Sequence, residues 1–178
     1  TGSITDIKKI NNKIKKLSIP LLIDGCQYIP HKKLNIRELD PDFYVFSAHK
    51  LYGPSGLGIL YMKEEWLDRL GPYQGGGSMI KHVEVDKSSY LNGFQKFEAG
   101  PPPIAEVIGL SASINFINEV GIENIYSFES ELTKYAYENI KKNNEVTLYG
   151  DFKNQNSIIS FNIDGVHYND LAMLLDKK

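Results

Sequence analysis

The 178-residue chain has one cysteine, Cys26, which excludes an intrachain disulfide framework and is in keeping with a reducing, cytoplasmic setting. No apolar run approaches the about 18 residues of a membrane span, and no charged-then-apolar leader opens the chain, so neither membrane insertion nor secretion is read from it. With 20 basic against 22 acidic side chains and a formal net charge of −2, it has no basic field for nucleic acid. His31, His82 and His167 show no metal-ligand spacing with one another or with Cys26, and no metal site is expected. The stretch Gly53-Pro-Ser-Gly-Leu-Gly58 matches neither G-x-x-x-x-G-K-[ST] nor G-x-G-x-x-G, so its glycines are expected to turn the chain tightly rather than to cradle a phosphate. Internal repeats and low-complexity segments are also missing.

What is present reads as α/β layering in a soluble chain long enough for one domain or one and a half. Ile7, Ile10, Ile14 and Leu17 recur at helical spacing among lysines and asparagines. Leu21-Leu-Ile23, Phe43-Tyr-Val-Phe46 and Gly58-Ile-Leu-Tyr-Met62 are short continuous apolar runs, expected to be strands buried on both faces by helices. A short helix is expected over Glu64 to Leu70, followed by a long turn-rich stretch from Gly71 to Pro103, of the kind that is usually functional or disordered. Ile104 to Val120 reads as a helix with Ile104, Ile108, Ala112 and Phe116 on one side and Gly121 as its stop. A second long helix over Ile122 to Lys142, strands at Val146–Tyr149 and Ile158–Ile163, and a helix from about Tyr168 would begin a smaller α/β unit. Both ends look cut: Thr1 enters a helix at once without an initiator methionine, and Leu171 to Lys178 stops inside an apparent helix.

Lys50 is the most informative residue. It closes the apolar run Asp42-Phe-Tyr-Val-Phe-Ser47-Ala-His49-Lys50 and opens the glycine-rich turn, a position that aims an amine into a site. Asp24 ends the run before it, and the intervening residues leave room for a loop, a helical turn and a parallel neighbouring strand. An acid at the carboxyl end of one buried strand and an amine at the end of the next suit pyridoxal phosphate (PLP), whose ring nitrogen needs an anion and whose aldehyde needs a lysine. Taken singly, Lys50 could be a solvated lysine, Asp24 a turn-forming aspartate before Gly25, and Ser47 and His49 ordinary polar residues at a strand end.

Five motifs in order, Asp24-Gly-Cys-Gln27, Ser47-Ala-His-Lys50, Tyr52-Gly-Pro-Ser-Gly-Leu-Gly58, Gly75-Gly-Gly-Ser-Met-Ile80 and Phe97-Glu-Ala-Gly100, give the whole chain a resemblance to cysteine desulfurases of the Suf type, in the class V aminotransferase group of fold type I PLP enzymes. The resemblance implies a three-layer α/β/α large domain with a mixed, mostly parallel sheet, incomplete here and occupying residues 1–120. Residues 121–178 would be a linker helix and the start of a carboxy-terminal small domain. Lys50 would link covalently to PLP and shuttle protons, Asp24 would pair with the pyridine nitrogen, Gln27 would donate to the ring hydroxyl oxygen, and Ser47 and His49 would hold the phosphate. The same resemblance implies a homodimer that converts L-cysteine to L-alanine and passes the sulfur as a persulfide to an acceptor protein for iron–sulfur cluster assembly. Part of the 71–103 stretch would be a hairpin and loop beside the facing subunit's active site, with Gly75–Ser78 near its entrance.

Two departures from the family pattern stand out. Where the family reads Arg-Phe-Glu-Ala-Gly-Thr-Pro, this chain has Lys96-Phe-Glu-Ala-Gly-Pro101-Pro102, so a phosphate-reaching threonine has become a residue with neither hydroxyl nor N–H. The family's persulfide-forming cysteine and substrate-carboxylate arginine correspond to no residue of this chain. Cys26, two residues after Asp24, is expected to be a small buried packing group rather than the nucleophile. Alternatives are another class V enzyme, such as a selenocysteine lyase or an epimerase-like relative, and a non-catalytic remnant or interaction domain that retains the fold.

Overall fold

The structure is a computed structural model that describes residues 1–150, 152 and 155–177. The chain forms two units, one from Ile7–Pro30 and Leu34–Glu119, the other from Thr1–Asp6, His31–Lys33 and the residues from Val120 on.

The first unit is built on a three-stranded mixed sheet, with β1 (Leu22–Asp24), β2 (Phe43–Ser47) and β3 (Gly58–Met62) in the order β1-β2-β3. β1 and β2 run parallel, with Asp24 opposite Val45. β2 and β3 run antiparallel, with Ser47 opposite Gly58. The expected mostly parallel sheet is thus represented by one parallel and one antiparallel pair, because the glycine-rich turn folds the chain straight back on itself. Gly56 makes that possible at φ +89°, a conformation with no Cβ penalty for glycine. Between β1 and β2 lie a turn and the one-turn helix α2 (Ile36–Leu39), whose N-cap Asn35 accepts from the Glu38 N–H at 3.3 Å. The helix before the sheet, α1 (Ile7–Ile14), continues as a 3-10 turn, Lys15–Leu17.

Ile23 and Tyr44, neighbours on one face of the sheet, are 8% and 2% exposed. On the other face Leu22 and Leu60 remain 59% and 50% exposed, so the expectation of strands buried on both faces holds here for one face only. At the amino end of β2, Asp42 stitches the sheet together. Its Oδ2 accepts from the Leu21 N–H at 2.8 Å and its Oδ1 from the Trp66 indole N–H at 2.9 Å. Trp66 belongs to α3 (Glu64–Arg69) and packs on Phe43, with ring centroids 5.3 Å apart. Burial opposes ionisation of Asp42, but the Trp66 and Leu21 N–H groups and the Lys63 ammonium outweigh it and hold the carboxyl below its ordinary range.

The long stretch from Gly71 to Pro103 is ordered around a hairpin of β4 (Ile80–Val83) and β5 (Ser88–Tyr90) and a 3-10 turn, Gly93–Phe97. Met79 is fully buried, its carbonyl accepts from the Leu91 N–H, and the Gly100 N–H donates to the Gly77 carbonyl, both at 2.8 Å. The motifs Gly75–Ile80 and Phe97–Gly100, far apart in sequence, therefore lie side by side.

α4 (Ile104–Val120) has the expected bounds and buries Leu110, Ser113 and Ile117, while Ile104, Ile108 and Phe116 are 63%, 66% and 52% exposed. This helix is apolar nearly all round, so its periodicity does not single out a face. Packing does, since Gly109 meets the Pro54 ring so closely that a Cβ there would lie 3.1 Å from it.

In the second unit, Gly121 at φ +86° ends α4 and starts α5 (Ile122–Ile140). β6 (Val146–Tyr149) and β7 (Ser160–Ile163) form an antiparallel pair, and α6 (Tyr168–Asp176) buries Leu171 while Met173, Leu174 and Leu175 stay more than half exposed. His31 Nδ1 pairs with Glu129 at 2.7 Å, and the Lys32 ammonium sits over the Tyr126 ring at 4.4 Å, which ties residues 31–33 to α5. The amino-terminal residues join through the Asn156 N–H, which donates to the Gly2 carbonyl at 2.8 Å.

Candidate active site

The parallel register places the carboxyl ends of β1 and β2 together, and this edge is where open α/β sheets bind ligands. Asp24 is the last residue of β1 and is exposed there. Its Oδ1 accepts from the Cys26 N–H at 3.0 Å, across a turn whose other hydrogen bonds run from the Tyr28 and Ile29 N–H groups to the Gly25 carbonyl at 3.0 and 3.1 Å. The Cys26 N–H and then the Cys26 thiol pull the Asp24 carboxyl below its ordinary range; burial opposes them slightly and the Lys50 charge adds to the lowering. Asp24 is thus a fixed anion at neutral pH that feels the Lys50 ammonium. Gln27 is exposed on the same turn.

β2 ends at Ser47 and passes into a 3-10 turn, Ala48–Leu51. At three residues per turn, Ala48 and Leu51 fall on one side, and both are buried, at 0% and 6% exposure. They anchor the turn, and His49 and Lys50 leave it in the remaining directions, His49 exposed and Lys50 half-buried. The turn is closed by Tyr52 in the left-handed region at φ 58° and by the Gly53 N–H, which donates to the Ala48 carbonyl at 2.9 Å. A Cβ on Gly53 would lie 2.9 Å from that same carbonyl oxygen, so glycine is required by space. Lys50 therefore does not end the strand, as the apolar run suggested, but sits on a separate rigid turn beyond it.

The two strand ends meet at Cys26, whose Sγ lies 3.8 Å from the Ser47 Oγ. Cys26 is half-buried rather than fully packed away. The structure thus brings Asp24, Gln27, Ser47, His49 and Lys50 to one edge of one sheet. Pro101, in the same unit, is exposed and directly follows Gly100 at φ +83°. Among the described residues no three His, Cys, Asp or Glu side chains gather as a metal site requires.

Tyr44, which the sequence offers only as part of an apolar strand, is buried against this edge. Its ring is 2% exposed, and its phenolic oxygen lies 3.5 Å from the Gly25 carbonyl oxygen, under the corner between Asp24 and Cys26. The glycine in Asp24-Gly25 was a signal for this close approach, although it also reads as a turn former.

A carboxylate at the carboxyl end of β1 and a serine, a histidine and a lysine at the end of β2 and on the turn after it stand together on one edge of an α/β sheet, an arrangement whose donor set is of the kind that suits PLP. The aminotransferase class-V family model matches residues 1–178, and the chain belongs to that family. It is 44% identical over 178 residues to a cysteine desulfurase of Wigglesworthia glossinidia brevipalpis, covering 99% of this chain and 43% of that protein. The apo structure of a cysteine desulfurase from Thermococcus onnurineus NA1 superposes with a TM-score of 0.91 at 34% identity, over 99% of this chain and 44% of that one. A lysine-to-alanine variant of C-DES, solved with glycine covalently linked to its PLP cofactor, matches with a TM-score of 0.86 at 20% identity over 99% and 48% of the two chains, a likeness of fold alone. The chain spans less than half the length of these relatives.

Proposed function

We propose that the protein is a PLP-dependent cysteine desulfurase in which this chain supplies the floor of the cofactor site. The observation that carries the reading is the shared strand edge, where Asp24 and the Ser47–Lys50 turn lie on adjacent parallel ends. The donor set fits the cofactor: a carboxylate held ionised, an amine, and hydroxyl and imidazole groups suited to a dianionic phosphate. Asp24 would accept from the pyridine N–H, Gln27 would donate to the ring hydroxyl oxygen, and Ser47 and His49 would bind the phosphate. Lys50 would form the covalent link to the aldehyde carbon and, once displaced by substrate, carry the proton to and from the substrate α-carbon. Bound there, PLP supplies an electron sink for negative charge at that carbon.

The overall reaction on this reading takes L-cysteine and a protein thiol to L-alanine and a protein persulfide, the thiol's proton ending on the alanine. Cys26 is not that thiol. It lies on the ring-nitrogen side of the floor, next to Asp24, whereas the attacking sulfur must approach the substrate from the open side. The nucleophile is therefore supplied by another part of the enzyme. A homodimer, an acceptor protein for iron–sulfur cluster assembly and a cytoplasmic location complete the proposal, with the large domain through residue 120 and the small domain from residue 121. The named relatives support the desulfurase reaction itself, and no described helix is long and apolar enough to cross a membrane.

The full-length protein, incubated with PLP and L-cysteine, is expected to release alanine and to carry a persulfide on a cysteine other than Cys26. Alanine release without any protein persulfide would favour another class V reaction, and a protein that stays colourless with PLP would favour a non-catalytic remnant.

A further inference from the structure

Gly25 is not in a conformation that demands glycine; the demand is for space. A Cβ built on it would lie 1.8 Å from the Tyr44 phenolic oxygen and 2.0 Å from Cζ, so the phenol occupies the volume any other side chain would need. The peptide of Gly25 is fixed from several directions. Its N–H donates to the Val45 carbonyl at 2.9 Å, extending the parallel ladder one residue past Asp24. Its carbonyl accepts from Tyr28 and Ile29, closing the turn that carries Gln27, and faces the Tyr44 hydroxyl at 3.5 Å. The peptide of Gly25 thus joins the strand end that carries Asp24 to the turn that carries Gln27, and Tyr44 is the buried side chain beneath it.

The geometry points to Tyr44 as a positioning residue for the ring-nitrogen side of the cofactor site, acting through Gly25 to set the placement of Asp24 and Gln27. The inference rests on the reading that Asp24 faces the pyridine nitrogen. Burial pushes the phenol up to about 12, so it remains an O–H at every working pH and offers Gly25 a neutral donor. Its ring is locked by strand packing, with Phe46 edge-on at 6.5 Å between centroids. A seat of this kind controls direction rather than strength of binding, so its removal should disturb recognition of one atom of the cofactor more than affinity as a whole.

The experiment measures the affinity of full-length apoprotein for PLP and for 1-deazapyridoxal 5′-phosphate, which has C–H in place of the ring nitrogen. The wild type is expected to prefer PLP. In Tyr44→Phe, which keeps the ring and loses only the oxygen, that preference should fall about three- to tenfold, the scale of one net hydrogen bond. Gly25→Ala, which must push the phenol away, should lower it in the same direction and serves as the test if Tyr44→Phe does not fold. A preference unchanged from wild type, or equal weakening of both compounds, overturns the inference while leaving the Asp24 assignment standing. A wild type with no preference for PLP, matched by Asp24→Asn, overturns the Asp24 assignment and this inference together.

Discussion

Asp42 and Asp24 stand at opposite ends of the same strand pair, both with their carboxyl groups held below the ordinary range, and they do different things. Asp42, at the amino end of β2, is shielded and occupied on both oxygens by partners from two other segments, Leu21 and the Trp66 indole, with Lys63 alongside. Asp24, at the carboxyl end of β1, is exposed, and the groups that lower it most come from its own turn, the N–H and thiol of Cys26. A carboxylate whose partners knit segments together is a structural clamp. One whose partners only aim it presents its charge outward and can serve a ligand. The site edge and the clamp edge of this sheet thus share their chemistry and differ in where its capacity is used.

The largest expected effect is at the site edge. Lys50→Ala in the full-length protein should abolish the absorbance of covalently held PLP while leaving the protein soluble, because no other amine shares that turn; a retained borohydride-reducible adduct would contradict the assignment. Asp24→Ala comes next: turnover should fall on the order of 10²-fold, the scale of losing one preorganised electrostatic partner, with some PLP still bound. Near-wild-type turnover would place Asp24 with the clamps.

At the other edge, Asp42→Ala should destabilise the fold by about 1–3 kcal/mol, leaving the partly buried Leu21 and Trp66 donors unpaired, with little change in PLP affinity. A lowered folded-state value stabilises above the unfolded carboxyl value of about 3.9, and the stabilisation is lost as pH falls through the depressed folded value. Thermal melts across that acid range should therefore decline more steeply for the wild type than for Asp42→Ala, and parallel curves would refute the clamp. The smallest effect expected is for Cys26→Ala, which should leave alanine production from cysteine largely intact; a cysteine-dependent persulfide on Cys26, lost with activity in the variant, would make it the nucleophile.

The site edge was legible in the sequence because its signals are local. Asp24 and Lys50 each follow a continuous apolar run, and strands that end together bring such residues together. Features set by long-range packing were less legible. The buried side of α4 depends on Pro54 meeting Gly109, which no periodicity in so apolar a helix reveals. His31 showed only a lack of metal-ligand spacing in the sequence, because its partner, Glu129, is 98 residues away. The one-turn helix α2 carried a readable cap in Asn35 and Glu38, but four residues are too few for a periodic pattern. Tyr44 looked like one more strand aromatic, since a side chain's seat beneath a neighbouring strand's glycine appears only when the register is known.

On the proposed reading, the turn after β2 carries the cofactor-linking amine, Lys50. Borohydride reduction of the full-length protein with PLP, followed by peptide mapping with mass spectrometry, tests it most directly. A pyridoxyl group on Lys50 is the predicted result, and a pyridoxyl group on a different lysine, with Lys50 unmodified, would contradict the account.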